Sequence, residues 1–203
     1  VILLTSSGIL RIPFISSFLG QPVGLRRGAT ALVSVAGWGR KKSGAKAEQL
    51  AARDGVPCWR LEDGFIRSFG TGQNFPPLSL VVDEQGIYYD STRPSALETL
   101  LASSVDVLAG MAGEVERARA LVLGHRLSKY NHAVEVARYG GEGIRVLVID
   151  QTAGDLSVSL GGASAETFTA MLTAARTENP QATIYVKTHP EVTSGRKGGY
   201  LTQ

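Results

Sequence analysis

The stretch Ala31–Phe65, ALVSVAGWGRKKSGAKAEQLAARDGVPCWRLEDGF, decides the fold. It opens on an apolar run of strand length, Ala31–Ala36. A loop rich in glycine and basic residues follows. The helical stretch SGAKAEQLAARDG comes next, with Ser43 as its expected cap and Gly55 as its stop. A second apolar run, Pro57–Leu61, completes the pattern. Strand, helix and strand of these lengths make a βαβ unit, and its two strands lie parallel in one sheet.

The same alternation extends in both directions. Further strands are expected at Val1–Thr5, Leu78–Val82, Ile87–Tyr89, Arg145–Ile149 and Thr183–Lys187. Helical patterns occupy RPSALETLLAS with Pro94 near its start, GEVERARALVLGH with one charged face, and ASAETFTAMLTAARTENP. The last runs from a Ser164 cap to a stop at Asn179-Pro180. VVDEQGIYYD reads as a hairpin around Asp83–Gly86, the one interruption of the α/β alternation. YGGEG, at Gly140–Gly143, breaks the pattern before a fresh βα start. Residues 1–140 and 144–203 are therefore expected as two domains.

Bulk properties narrow the function. The chain has 203 residues, 43% of them hydrophobic and 19% charged, an ordinary globular balance with enough chain for a sizeable core. A net charge of +3 slightly favours an anionic ligand or membrane surface and is no nucleic-acid signature. Cys58 is the single cysteine, so no internal disulfide exists and a reducing compartment fits. No apolar run approaches the roughly 20 residues of a membrane helix. VILLTSSGIL lacks a basic leader and reads as a first strand. The missing initiator Met and the ending SGRKGGYLTQ lead us to expect a piece of a longer chain.

Open α/β sheets bind ligands beyond the carboxyl ends of their strands. Three segments put polar residues there. In RLEDGF, Glu62 and Asp63 are neighbours whose side chains diverge, which argues against a pair sharing one proton. Unequal jobs are expected: one faces the cleft, and the other ties down the turn or pairs with Arg60 or Arg67. A plain Asp-Gly turn with a solvated Glu is the alternative. In VLVIDQTAGDLSVSLGG, a strand ends at Asp150, expected to hold the following loop. Asp155 lies in that loop, as a functional carboxylate or as a cap. Gly161-Gly162 then lead to a helix whose free N–H groups would suit phosphate. In TIYVKTHPE, Lys187 and His189 share a face and Pro190 fixes the turn. Lys187 offers a point charge and His189 a directional donor to an anion.

Other candidates are weaker. GWGRKKSG offers Gly37, Gly39, Arg40, Lys41 and Lys42 to an anionic acceptor, or is simply a solvated basic loop. His125 and His132 have no metal-ligand spacing with Cys58. Walker A, G-x-G-x-x-G, G-x-S-x-G and Asp-x-Asp patterns are all missing.

Taken together and in order, GILRIPFISSFL, GWGRKKSGAKA, RLEDGFIRS, PPLSLVVDEQGIYYDSTRPSALETLL, LSKYN, VLVIDQTAGDLSV, ENPQATIYVKTHPEV and GYLTQ carry a resemblance. The chain resembles the KpsC-type capsular polysaccharide β-Kdo glycosyltransferases along essentially its whole length. The resemblance implies a GT-B-like α/β fold: a Rossmann-like acceptor-side domain and the beginning of a second, donor-nucleotide domain. It implies retaining transfer of Kdo, an acidic eight-carbon sugar, from CMP-β-Kdo to a lipid-linked acceptor of the phosphatidylglycerol type. The implied nucleophile is Asp155 and the implied acid/base is Glu62, with Asp63, Gln151 and Arg67 in support. The donor nucleotide falls to His189, Pro190, Lys187, Ser157 and Gly161. Neither a metal nor a cofactor is implied. A cytoplasmic location with peripheral contact to the inner membrane of Gram-negative bacteria is implied, with a capsule assembly or export complex as partner. The chain alone is expected to be inactive, because further nucleotide contacts would lie downstream. Another GT-B nucleotide-sugar transferase or epimerase, and a non-catalytic glycan- or partner-binding fragment, remain as alternatives.

Overall fold

The computed structural model describes residues 1–28, 30–70, 74–132, 140 and 142–201. Contacts divide the chain into two units, residues 1–88 with 93–134 and residues 89–92 with 135–203. Tyr139 and Gly141 of the expected boundary stretch, and Thr202 and Gln203 of GYLTQ, lie outside the described residues.

The first unit begins with β1 (Ile2–Leu4), α1 (Ser7–Leu10), α2 (Ile15–Phe18), β2 (Val23–Gly24), β3 (Ser34–Trp38), α3 (Lys42–Asp54), β4 (Cys58–Asp63) and β5 (Leu80–Asp83). The five strands form one sheet in the order β2-β1-β3-β4-β5. The first four run parallel, and β5 is antiparallel to β4. Successive strand residues point to opposite faces. Ile2, Leu4, Ala36 and Leu61 therefore pack on Ile9, Ile15 and Leu19 of the α1–α2 layer. Leu3 and Val35 face the other way, onto Ala47 and Ala51 of α3. Helices on both faces of a mostly parallel sheet make the doubly wound Rossmann-like layout, and the strand order reverses between β1 and β3.

The β3–α3 turn is unusually close. A Cβ on Gly44 would fall 1.9 Å from the Gly39 carbonyl oxygen, and one on Gly37 2.3 Å from that of Ser43. Only glycine permits this approach. The cap also differs from the expected one. α3 starts at Lys42, and the Ser43 hydroxyl instead accepts the Trp38 N–H at 3.1 Å. Gly55 ends the helix in the left-handed conformation, as expected.

The hairpin is a correction. β5 ends at Asp83, and Ile87–Tyr89 is not a strand. The Asp83 carboxylate accepts the N–H groups of Gln85 and Gly86, both at 2.8 Å, and of Ala96 at 3.0 Å. This buried side chain takes the place of a cross-strand ladder and turns the chain inward, burying Ile87 completely. α4 (Ala96–Ala102) follows, capped by Ser95, and then α5 (Ala112–Gly124).

The second unit holds β6 (Arg145–Ile149), α6 (Leu156–Leu160), α7 (Ala165–Glu178), β7 (Thr183–Lys187) and α8 (Pro190–Thr193). β6 and β7 pair in parallel, from Arg145 opposite Thr183 to Ile149 opposite Lys187. α7 crosses between them and packs on β6, burying Val148, Phe168 and Ala175. The N–H and hydroxyl of Ser91 both bond to the Leu160 carbonyl, at 3.0 and 2.8 Å, which ties residues 89–92 to this unit.

Candidate active site

Glu62 stands one residue before the end of β4, at the carboxyl edge of the parallel strands. Its Oε1 accepts the Trp38 indole N–H at 3.0 Å and the Asp63 backbone N–H at 3.1 Å. Burial raises its pKa. The Asp63 N–H, the Lys41 charge and the Trp38 bond oppose that, while the Asp63 charge adds to it, and the net shift is upward. A carboxyl moved toward neutrality in this way suits proton transfer.

Asp63 has a different task. Its Oδ1 receives the Arg67 Nε–H at 3.1 Å. Arg67 also bonds to the Ser68 hydroxyl at 2.8 Å and to the Phe75 carbonyl. Arg67 is thus the partner of Asp63, and Arg60 instead joins Glu48 on α3. Gly64 answers to close packing: its N–H bonds the Ser79 carbonyl at 3.0 Å, and a Cβ there would sit 2.1 Å from the Ser79 hydroxyl oxygen. The adjacent carboxylates diverge, as the sequence suggests.

In the second unit, Asp155 follows β6 and is the N-cap of α6. Oδ1 accepts the Ser157 N–H at 2.9 Å, and Oδ2 accepts the Thr152 hydroxyl at 3.4 Å. Burial alone would raise this carboxyl. The Ser157 N–H and hydroxyl, the Lys197 charge and the Thr152 hydroxyl outweigh it and hold Asp155 below the usual carboxylate range. Asp155 is therefore a cap, and also a carboxylate whose ionised form is favoured. Asp150 is structural: its buried carboxylate accepts the N–H groups of Gln151, Tyr200 and Leu201 at 2.8, 3.0 and 3.3 Å. The Gly161 N–H closes α6 on the Ser157 carbonyl at 3.1 Å. The start of α7 is not an open phosphate cradle either. Thr167 Oγ1 takes the Ser164 N–H at 2.9 Å in a capping box, and Glu166 puts a carboxylate in the first turn.

Lys187 ends β7 and is exposed. His189 caps α8, which has Pro190 as its first residue. The His189 Nδ1 accepts the Glu191 N–H at 3.1 Å. Since a backbone N–H can only donate, Nε2 carries the ring proton of the neutral imidazole and remains a donor to an anion. Glu191 is paired with Lys197 at 2.7 Å.

Sequence patterning misses Trp38, Thr152, Lys197 and Tyr200. Trp38 falls in GWGRKKSG, read as a loop past the expected strand although β3 runs on to it, and Lys197 and Tyr200 sit in a featureless loop. Tyr200 reaches Gly154 from 46 positions away, and no local signal marks such a contact. Among the described residues, no helix is long and apolar enough to cross a membrane.

The chain is similar to known proteins over nearly its whole length. It is 45% identical over 204 residues to the capsule polysaccharide modification protein LipA of Neisseria meningitidis serogroup B. That match covers 98% of this chain and 29% of LipA. The lipopolysaccharide-processing protein LpsZ of Rhizobium meliloti is 37% identical over 165 residues, covering 79% of this chain and 37% of LpsZ. The chain thus spans about a third of the length of these curated relatives. Among solved structures, the β-Kdo 2,4 transferase of Thermosulfurimonas dismutans KpsC superimposes with a TM-score of 0.86 at 47% identity, over 98% of this chain and 64% of that one. The β-Kdo 2,7 transferase of the same KpsC gives a TM-score of 0.58 at 29% identity, over 94% and 61%. The α/β, Rossmann-like architecture is thus that of the KpsC transferases. The capsule polysaccharide biosynthesis protein model matches residues 33–145 and 138–203, and the chain belongs to that family.

Proposed function

We propose that this chain carries the two catalytic carboxylates of a retaining β-Kdo transferase that works in capsule synthesis. The observation behind the reading is the opposite tuning of Glu62 and Asp155, one raised by burial and the other lowered by its hydrogen bonds and Lys197. Two carboxyl groups pushed in opposite directions suit two roles in one reaction. Residues 1–140 act as the acceptor-side domain, and residues 144–203 open the donor-nucleotide domain. Both the higher identity and the higher TM-score favour the 2,4-forming class over the 2,7-forming one.

In the first step the Asp155 carboxylate attacks the anomeric carbon of Kdo in CMP-β-Kdo. The bond from that carbon to the phosphate oxygen breaks, and CMP leaves with the electron pair. Phosphate is a good leaving group and needs little protonation. Lys187 and the Nε2–H of His189 meet its charge, with Pro190 setting the approach and Ser157 and Gly161 shaping the loop. In the second step Glu62 takes the proton of an acceptor hydroxyl. That oxygen attacks the same carbon and expels Asp155 as a carboxylate. Two inversions give net retention. The acceptor is lipid-linked, which puts the enzyme at the cytoplasmic face of the inner membrane.

Intact-protein mass spectrometry tests this on protein expressed from its complete reading frame. After incubation with CMP-Kdo, Glu62→Gln gains one Kdo on the peptide carrying Asp155 and stalls there. Asp155→Asn gains none and loses transfer by several orders of magnitude. An adduct on another carboxylate, or full transfer by Asp155→Asn, overturns the assignment.

A further inference from the structure

The loop that carries Asp155 has little core of its own. Gln151, Thr152, Ala153 and Gly154 are small or polar, yet a nucleophile must be held to within a fraction of an ångström. A second segment, distant in sequence, supplies the rigidity. Thr152 forms a β-bridge with Gly199, and the Ala153 N–H bonds the Gly198 carbonyl at 2.8 Å. The Gly154 N–H bonds the Tyr200 hydroxyl at 3.3 Å. Asp150 joins both segments, since its carboxylate accepts Gln151 from the loop and Tyr200 and Leu201 from the other side. Tyr200 is itself fixed: its ring stacks on the buried Phe168 of α7, centroids 4.5 Å apart and planes 5° from parallel.

We propose that Lys197–Leu201 is a clasp that positions Asp155 for attack, with Tyr200 and Lys197 as its positioning residues. The proposal rests on the nucleophile assignment above. Tyr200 sets the loop through Gly154, the residue before the nucleophile. Lys197 bears on two parts of the site. It pairs with Glu191, whose N–H is held by His189, and its positive charge helps keep Asp155 ionised. The clasp therefore links the phosphate end of the donor site to the attacking carboxylate.

The test measures the rate at which Kdo loads onto Asp155 from CMP-Kdo in the Glu62→Gln protein, where the adduct accumulates. Tyr200→Phe keeps the ring stack and loses only the hydroxyl. It should slow loading roughly tenfold while the donor concentration for half-maximal rate and the melting temperature stay put. Lys197→Met should slow loading by a similar factor, and Lys197→Arg should restore it. Wild-type loading rates in Tyr200→Phe and Lys197→Met overturn the proposal. So does a loss of loading that tracks lost thermal stability and is not rescued by Arg. If Glu62→Gln forms no adduct on Asp155, the nucleophile assignment has failed, and amide hydrogen exchange then judges the clasp by itself. Faster exchange at Gly154 in Tyr200→Phe supports it, and unchanged exchange overturns it.

Discussion

Trp38 donates its indole N–H to the same Glu62 oxygen that receives the Asp63 N–H, at 3.0 and 3.1 Å. Both bonds favour the charged carboxylate. Burial and the Asp63 charge oppose them and prevail. Trp38→Phe removes one donor and leaves the burial, so Glu62 should move further up. A base must be ionised to act, so the acid limb of the pH–rate profile should move up with it. Transfer measured on that acid limb should fall, about tenfold for each pH unit by which the limb moves. Initial rates of Kdo transfer against pH check this, and a profile superimposable on wild type counts against Glu62 as the base.

Glu62 also marks a conflict between stability and function. Its folded pKa lies above the unfolded value. Its contribution to stability is therefore present at low pH and is lost as pH rises through the folded pKa. Glu62→Gln abolishes that loss. Its melting temperature should exceed that of wild type at pH 8, and the gap should close as pH falls toward 4. Thermal melts across that range decide it. A variant that melts below wild type at pH 8 contradicts the burial argument.

Glu48 shows the opposite sign. One oxygen of this α3 residue meets Arg40 at 3.0 Å, Arg93 at 3.2 Å and the nearly buried Arg60. Burial raises its pKa, but the three guanidiniums outweigh this and hold it low. Stability from this cluster is thus present above the unfolded carboxylate pKa and is lost as pH falls through the lower folded value. Glu48→Gln should cost about 2 kcal/mol at pH 7, because Arg60 keeps its charge without a counter-ion. The deficit should shrink in acid. Urea titrations at pH 7 and pH 3 measure both values.

His189→Ala removes the donor proposed for the CMP phosphate and the cap on the Glu191 N–H. CMP affinity should drop by about 1.5–3 kcal/mol, the worth of a hydrogen bond to a charged group. Calorimetric titration with CMP of the protein from its complete reading frame reads this directly. An unchanged affinity removes His189 from the donor site.

Much of the fold is written locally. The run from Ala31 to Phe65 yields β3, α3 and β4 because apolar period, Gly55 and strand length are properties of adjacent residues. The failures are equally physical. Ile87–Tyr89 alternates like a strand, but Asp83 captures two following N–H groups and the ladder never forms. α1, α2 and β2, at two to four residues each, are too short to carry a period.

For the site, the sequence by itself determined which carboxylates stand at strand ends, and that Glu62 and Asp63 must diverge. Only the tertiary structure decided that Arg67 takes Asp63 while Arg60 takes Glu48. It alone set Trp38 against Glu62 and Tyr200 against the Asp155 loop. It also decided the sign of each carboxyl's shift. A strand end is a local event, fixed where the apolar run stops. A pKa depends on burial and on the nearest donors and charges. Ser157 and Asp63 act from next door, but burial, Trp38, Lys41 and Lys197 are brought to these carboxyls by segments tens of residues away, once the sheet, α3 and the Lys197–Leu201 segment are in place.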